Sequence, residues 1–214
     1  MKIAVIIPAA GLSSRMGTQK QLLMLDGKAV LTRTIEAFEN HSNIDEIIVV
    51  GPECLAKIVS GFSKVKSLVE GGANRQMSVW QGLCALSEDV DWVLIHDGAR
   101  PFVSAKVISD ILNSGTCAVS GVKSKDTIKI ADVDNVVQST PNREDLWLVQ
   151  TPQGFPYHLI KKAHQQAIAD GFVGTDDATL IERMGISVQM VEGDYRNIKL
   201  TTPEDILIAE VYIK

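Results

Sequence analysis

Short apolar runs alternate along this chain with longer stretches in which apolar residues recur every three or four positions. The runs predict strands over residues 3–7, 46–50, 66–69, 92–95, 117–122, 188–191 and 198–200. The stretches between them predict helices over 30–40, 53–61, 76–86, 105–113, 157–170, 177–184 and 203–212. Strands that alternate with helices build an α/β fold with a mostly parallel sheet and helices on both faces. The first run, Ile3-Ala4-Val5-Ile6-Ile7, is apolar at every position, as a buried parallel strand requires. The last helix has a marked start: Thr202 suits the N-cap, Pro203 the first turn, and Glu204 and Asp205 complement the helix dipole.

One segment, 123–150, breaks the alternation. Two strand-like stretches flank a polar turn at 132–135, which predicts a β-hairpin arm inserted in a single domain spanning 1–214. A two-stranded ribbon is marginal alone. It needs a surface to pack on, either its own domain or a second copy of the chain, which would give an arm-exchanged homodimer.

Composition narrows the picture by exclusion. The chain is 45% hydrophobic and 22% charged, with net charge −5. It has no apolar stretch long enough to span a membrane, no signal-peptide pattern and no basic tract suited to a nucleic acid. The three cysteines have neither metal-site spacing nor a disulfide pattern, and a reducing, cytoplasmic setting is expected.

Four clusters carry candidate chemistry. The first strand leads into Pro8-Ala9-Ala10-Gly11-Leu12-Ser13-Ser14-Arg15-Met16-Gly17-Thr18-Gln19-Lys20. Small residues let backbone N–H groups approach a ligand, and Arg15 and Lys20 add two cations, so the loop suits a polyphosphate. It fits neither the dinucleotide fingerprint nor the P-loop pattern. His96-Asp97-Gly98-Ala99-Arg100 follows the strand at 92–95. Asp97 facing a triphosphate would repel it unless a divalent cation lay between them, which points to Mg²⁺; the alternative for Asp97 is a helix cap. Arg100 suits a phosphate contact or a brace for Asp97, and His96 a supporting position. Gly71-Gly72 and Ser78 form a strand-to-helix turn able to admit a flat base or serving only as a turn. Lys199 sits in the apolar run 198–200, where it needs an anion or a surface edge.

With these clusters in place, the chain resembles the 2-C-methyl-D-erythritol 4-phosphate cytidylyltransferases nearly from end to end. The resemblance is carried by Ala9-Ala10-Gly11, Arg15-Met16, Lys20-Gln21, Gly71-Gly72, Ser78-Val79, His96-Asp97-Gly98-Ala99-Arg100-Pro101, Lys125-Asp126-Thr127, Gln150-Thr151-Pro152-Gln153, Thr175-Asp176-Asp177-Ala178, Val191-Glu192-Gly193 and Asn197-Ile198-Lys199-Leu200-Thr201. It implies a Rossmann-like nucleotidyltransferase fold with a protruding β-arm. It also implies Mg²⁺-dependent transfer of a cytidylyl group from CTP to a sugar-alcohol phosphate, with release of pyrophosphate. Arg15 and Lys20 fall on the family's catalytic cations. Arg143, Lys199, Thr127, Thr151 and Arg100 fall on substrate-binding positions, with Arg143 and Thr127 in an arm that reaches the neighbouring subunit. Pro8, Ala9, Ala10, Gly11, Gly72, Ser78 and Asp97 fall on nucleotide-binding positions, and Asp97 also on the metal site. Ser13 and Ala73 depart from residues common in the family, and the Arg15-to-Lys20 spacing is short. A sister activity on ribitol 5-phosphate shares the nucleotide site, but the segments 175–178 and 192–193 look more like the methylerythritol enzymes. A non-catalytic nucleotide-binding module would be expected to lack Arg15, Lys20 or Asp97, and all three are present.

Overall fold

The computed structural model describes residues 1–11 and 20–213, the side chain of Lys20 excepted. Its elements in chain order are β1 (Ile3–Pro8), β2 (Met24–Leu25), β3 (Lys28–Ala29), α1 (Val30–Glu39), β4 (Glu46–Val50), α2 (Ala56–Val59), β5 (Val65–Val69), α3 (Arg75–Ala85), β6 (Trp92–Ile95), α4 (Ala105–Asn113), β7 (Ala118–Lys123), β8 (Ile130–Ala131), β9 (Val137–Ser139), β10 (Trp147–Pro156), α5 (Tyr157–Ala169), α6 (Asp177–Arg183), β11 (Gln189–Glu192) and α7 (Pro203–Ile213). Seven strands form one sheet in the order β11-β7-β10-β6-β1-β4-β5. Neighbours pair in parallel except at β10, which runs against both β6 and β7.

The period-2 geometry of a strand sorts the first run between two cores. Ile3, Val5 and Ile7 face α1 and α4 through Leu31, Ile35, Phe38, Val107, Ile108 and Ile111. Ala4 and Ile6 face α3, α5 and α6 through Val79, Leu83, Ile160, Leu180 and Ile181. The sheet is therefore covered on both sides, as expected. α7 adds a small third cluster, packing Ala209 with Leu25, Val30 and Leu200.

Three expectations need correction. The run at 198–200 is not a strand: Leu200 N–H bonds Ala99 O at 2.9 Å, so the segment is fastened to the loop after β6 rather than to a sheet ladder. The helix expected over 53–61 is a 3-10 turn, Glu53–Leu55, followed by the short α2, because Leu55 and Val59 are the side chains that reach the core. The arm is shorter than 123–150. Lys123 ends β7 and Trp147–Gln150 opens β10, both within the main sheet, and only the chain between them protrudes. Its strands β8 and β9 pair with each other in a sheet of their own. The start of α7 also differs in detail. Asp205 Oδ2 accepts from the N–H groups of Thr201 (2.7 Å) and Thr202 (2.8 Å), the reaching-back half of a capping box.

Candidate functional site

The carboxyl ends of β1, β5 and β6 meet at one end of the sheet, where an open α/β fold places its ligands. Backbone bonds stitch their loops together: Ala9 N–H to Val50 O (2.7 Å), Gly51 N–H to Val69 O (2.8 Å) and Gly98 N–H to Pro8 O (3.1 Å). Between them opens a cavity of about 370 Å³, lined in part by Pro8, Ala10, Gly11, Gly72, Ser78, Asp97 and Lys199. An adjoining hollow is bordered by Ala9, Ala10, Gly11, Gly71 and Gly72. The structure thus brings together all the described nucleotide-binding candidates and Lys199, although Lys199 and Asp97 are 102 positions apart in sequence. Arg15 lies outside the described residues, and Lys20 is described only as the backbone opening a 3-10 turn, Lys20–Leu22.

The turn before α3 is tight for a physical reason. A Cβ on Gly71 would collide with the Ala10 methyl, and one on Gly72 with Met77. Glycine lets the two loops touch, leaving flat backbone on the cavity wall. Asn74 caps α3 by accepting from Met77 N–H at 2.8 Å. The Ser78 hydroxyl accepts from Gly72 N–H (3.1 Å) and donates to Asn74 O (2.9 Å), so it braces the turn from inside.

Asp97 is the electrostatic centre. Oδ1 accepts from Arg75 Nε at 2.9 Å, Oδ2 from Lys199 Nζ at 2.8 Å, and Arg100 Nε lies 3.9 Å from Oδ2. Burial pushes this carboxyl's pKa up, but Arg75, Lys199 and Arg100 outweigh burial and hold it well below the usual carboxylate range. The anion required by Lys199 is therefore Asp97. Arg100 is clamped as well, donating from Nη1 to Asn197 O at 2.7 Å.

Beneath Asp97 lies a supporting shell. Its N–H donates to Thr151 Oγ1 (3.1 Å), whose hydroxyl faces His96 Nδ1 (3.1 Å), while His96 Nε2 faces Arg100 O (3.0 Å). A neutral His96 with its proton on Nε2 satisfies all three contacts. Complete burial pushes its pKa down to about 4, which keeps that form at neutral pH. Thr151 is 4% exposed and both of its hydroxyl partners are protein groups, so here it braces Asp97. Arg143 and Thr127 are exposed on the arm and do not line the cavity of their own chain; Arg143 Nη1 donates to Lys125 O at 3.1 Å.

Sequence reasoning passed over Arg75. It opens α3, where a cation meets the positive end of the helix dipole and needs a carboxylate to offset it. It has two, Asp97 and Asp177, the latter at 2.7 Å from Nη1. That misplaced charge was a readable signal; the partner 102 positions away was not.

Among the described residues no group of three or more His, Cys, Asp or Glu side chains is placed to hold a metal. Asp97 fits Mg²⁺ in one way. Oδ1 is held by Arg75, and Oδ2 by Lys199, whose side chain is 39% exposed at the cavity. One carboxylate oxygen plus phosphate oxygens and water is a donor set that Mg²⁺ accepts.

Comparison with known proteins finds relatives along the whole chain. The profile of the family described as "IspD: 2-C-methyl-D-erythritol 4-phosphate cytidylyltransferase" matches residues 3–214. A curated protein of that name from Geobacter metallireducens is 47% identical over 233 residues, covering 100% of this chain and 98% of its own length. One from Geotalea uraniireducens is 46% identical over 228 residues, covering 100% and 97%. The crystal structure of the 4-diphosphocytidyl-2C-methyl-D-erythritol synthase of Anaerococcus prevotii superposes with a TM-score of 0.90 at 35% identity, covering 99% of this chain and 96% of the other.

Proposed function

From the membership of this chain in the 2-C-methyl-D-erythritol 4-phosphate cytidylyltransferase family, we infer how its residues divide the work of the reaction. The chain is a nucleotidyltransferase that transfers a cytidylyl group from CTP to 2-C-methyl-D-erythritol 4-phosphate, releasing pyrophosphate, in the non-mevalonate isoprenoid pathway. The observation that carries the residue assignment is the meeting of Pro8, Ala10, Gly11, Gly72, Ser78, Asp97 and Lys199 around one cavity.

In the assignment we favour, the cytosine rests against the backbone of Ala9, Ala10, Gly11 and Gly72, beside the turn that Ser78 braces. The triphosphate faces Asp97, Arg15 and Lys20. Two anions must meet, and fixed cations in a partly dry site offset their repulsion. Arg15 forks two phosphate oxygens and Lys20 acts as a point charge. Lys199 leaves Asp97 Oδ2 for the acceptor phosphate, which attacks the α-phosphorus in line. Arg100 and Thr151 hold Asp97 and its loop in place. No general base is needed, because a phosphate monoester is largely ionised near neutral pH. Asp97 Oδ2 would hold Mg²⁺, which when bound neutralises phosphate charge and favours pyrophosphate as leaving group.

The acceptor end is completed by a second copy. The arm exposes Ile130, Val133, Val136 and Val137, with Val133 at 97% exposure, and apolar strands left bare in this way favour pairing. A homodimer exchanging arms would cover them and bring Arg143 and Thr127 of each copy to the acceptor phosphate of the other. No described helix is long and apolar enough to cross a membrane. We place the enzyme in the cytoplasm on its cysteine usage. The test is pyrophosphate release with CTP, Mg²⁺ and either 2-C-methyl-D-erythritol 4-phosphate or ribitol 5-phosphate. Turnover on the first is expected, and preference for the second overturns the assignment.

A further inference from the structure

Four side chains form a line that runs inward from the cavity wall: Asp97 and Arg75, at the start of α3, on the wall, then Asp177, at the start of α6, and His164 on α5 behind it. His164 Nε2 lies 3.1 Å from Asp177 Oδ1; Asp177 Oδ2 is 2.7 Å from Arg75 Nη1; Arg75 Nε is 2.9 Å from Asp97 Oδ1. His164 is fully buried and Asp177 is 1% exposed. A buried carboxylate is costly, and it persists where its charge holds something in place.

Asp177 is not needed to form its own helix. Asp176 already caps α6, accepting from Thr179 N–H at 2.9 Å. Gln153 of β10 docks the same turn twice, donating to Asp176 Oδ2 (2.8 Å) and accepting from Ala178 N–H (3.1 Å). Both oxygens of Asp177 instead go to Arg75 and His164. Arg75 also lines the cavity, so an incoming polyanion attracts it strongly. Unrestrained, the guanidinium would swing to the phosphates and release Asp97 Oδ1. Held at both ends, it stays put and fixes the carboxylate.

We propose that Asp177 is a positioning residue for cytidylyl transfer: by tethering Arg75 from behind, it keeps Asp97 oriented toward the triphosphate. His164 is the outer member of the tether, orienting the Asp177 carboxylate. The proposal rests on the functional assignment above and adds to it a residue outside the cavity lining.

The test is a double-mutant cycle of Asp177→Asn and Arg75→Gln. It reads kcat, KM for CTP, CTP binding by calorimetry and thermal unfolding. In the otherwise native enzyme, Asp177→Asn is expected to lower kcat about ten- to a hundredfold, as losing an outer-shell partner does. KM and Kd for CTP should move less than about threefold, because the loss falls on transition-state geometry. In the Arg75→Gln background the same change should cost less than about twofold, because the tether no longer has anything to hold. Equal losses in the two backgrounds would assign Asp177 to the packing of α6 and overturn the proposal, as would an unchanged kcat. If the Asn variant does not fold, Asp177→Glu, which keeps the charge and displaces it, enters the same cycle with the same criterion. Wild-type protein that releases no pyrophosphate overturns the functional assignment and this proposal with it; active wild type with an indifferent Asp177→Asn overturns this proposal alone.

Discussion

His96 sets an acid limit on this fold. The ring is fully buried, and its pKa falls from 6.5 to about 4. In the unfolded chain it takes up a proton below about pH 6.5. Between those values the unfolded state binds the proton and the folded state does not, so stability falls as pH falls. The contribution is complete above pH 6.5 and lost by about pH 4. At ~1.36 kcal/mol per unit, a gap of two to three units is about 3 kcal/mol, a large part of a typical folding free energy of ~5–15 kcal/mol. The perturbation is His96→Gln, whose amide can still donate to Arg100 O but does not titrate. Urea unfolding of both proteins at several pH values from 7 to 4.5 measures the difference in stability. Wild type should hold its largest relative advantage at pH 7 and lose it at ~1.4 kcal/mol per unit through the lower part of the window. Asp97 does not confound the result: its depressed pKa removes stability only below the unfolded carboxylate range, near ~3.9. His41, also pushed down by burial, is common to both proteins and cancels. A wild-type-minus-variant difference that is flat with pH would refute the buried neutral imidazole.

Further expectations concern the site. Lys20→Ala should lower kcat about a hundredfold with a smaller change in CTP affinity, as loss of one electrostatic donor to the transition state does; steady-state pyrophosphate release checks it. Arg143→Ala should raise KM for the acceptor phosphate about tenfold or more, the worth of a charge-assisted hydrogen bond, and leave KM for CTP in place. Gly71→Ala puts a methyl against Ala10 and should cost ~1–3 kcal/mol through overpacking, read as weaker CTP binding by calorimetry and a lower urea midpoint.

The framework was legible where periodicity was clean. The strand expected over 46–50 is β4 and that over 92–95 is β6, residue for residue, because the apolar runs at 47–50 and 92–95 have one buried solution in the interior of this sheet. β10 was not legible as a ten-residue strand. It holds Pro152, Gly154 and Pro156, which ordinarily argue against a central strand, and a register shift between Val149 and Gln153 accommodates them. The run at 198–200 misled for the opposite reason: its apolar residues bury against α7 and the loop after β6 without a strand partner. At the site, loop composition pointed to the cavity wall, but the ionic line from Asp97 to His164 joins residues that no local pattern relates.

The arm leaves the sheet at β7 and returns at β10, and those two strands are hydrogen-bonded neighbours. Its roots are thus already closed by the main ladder, and the excursion between them behaves as a graft. Doubling such a loop adds only ~0.6 kcal/mol of closure entropy, so evolution or an engineer can lengthen, trim or recode the tip around Val133 while every register in the body stays where it is. The tip of the arm and the body of the sheet are therefore free to drift at different paces.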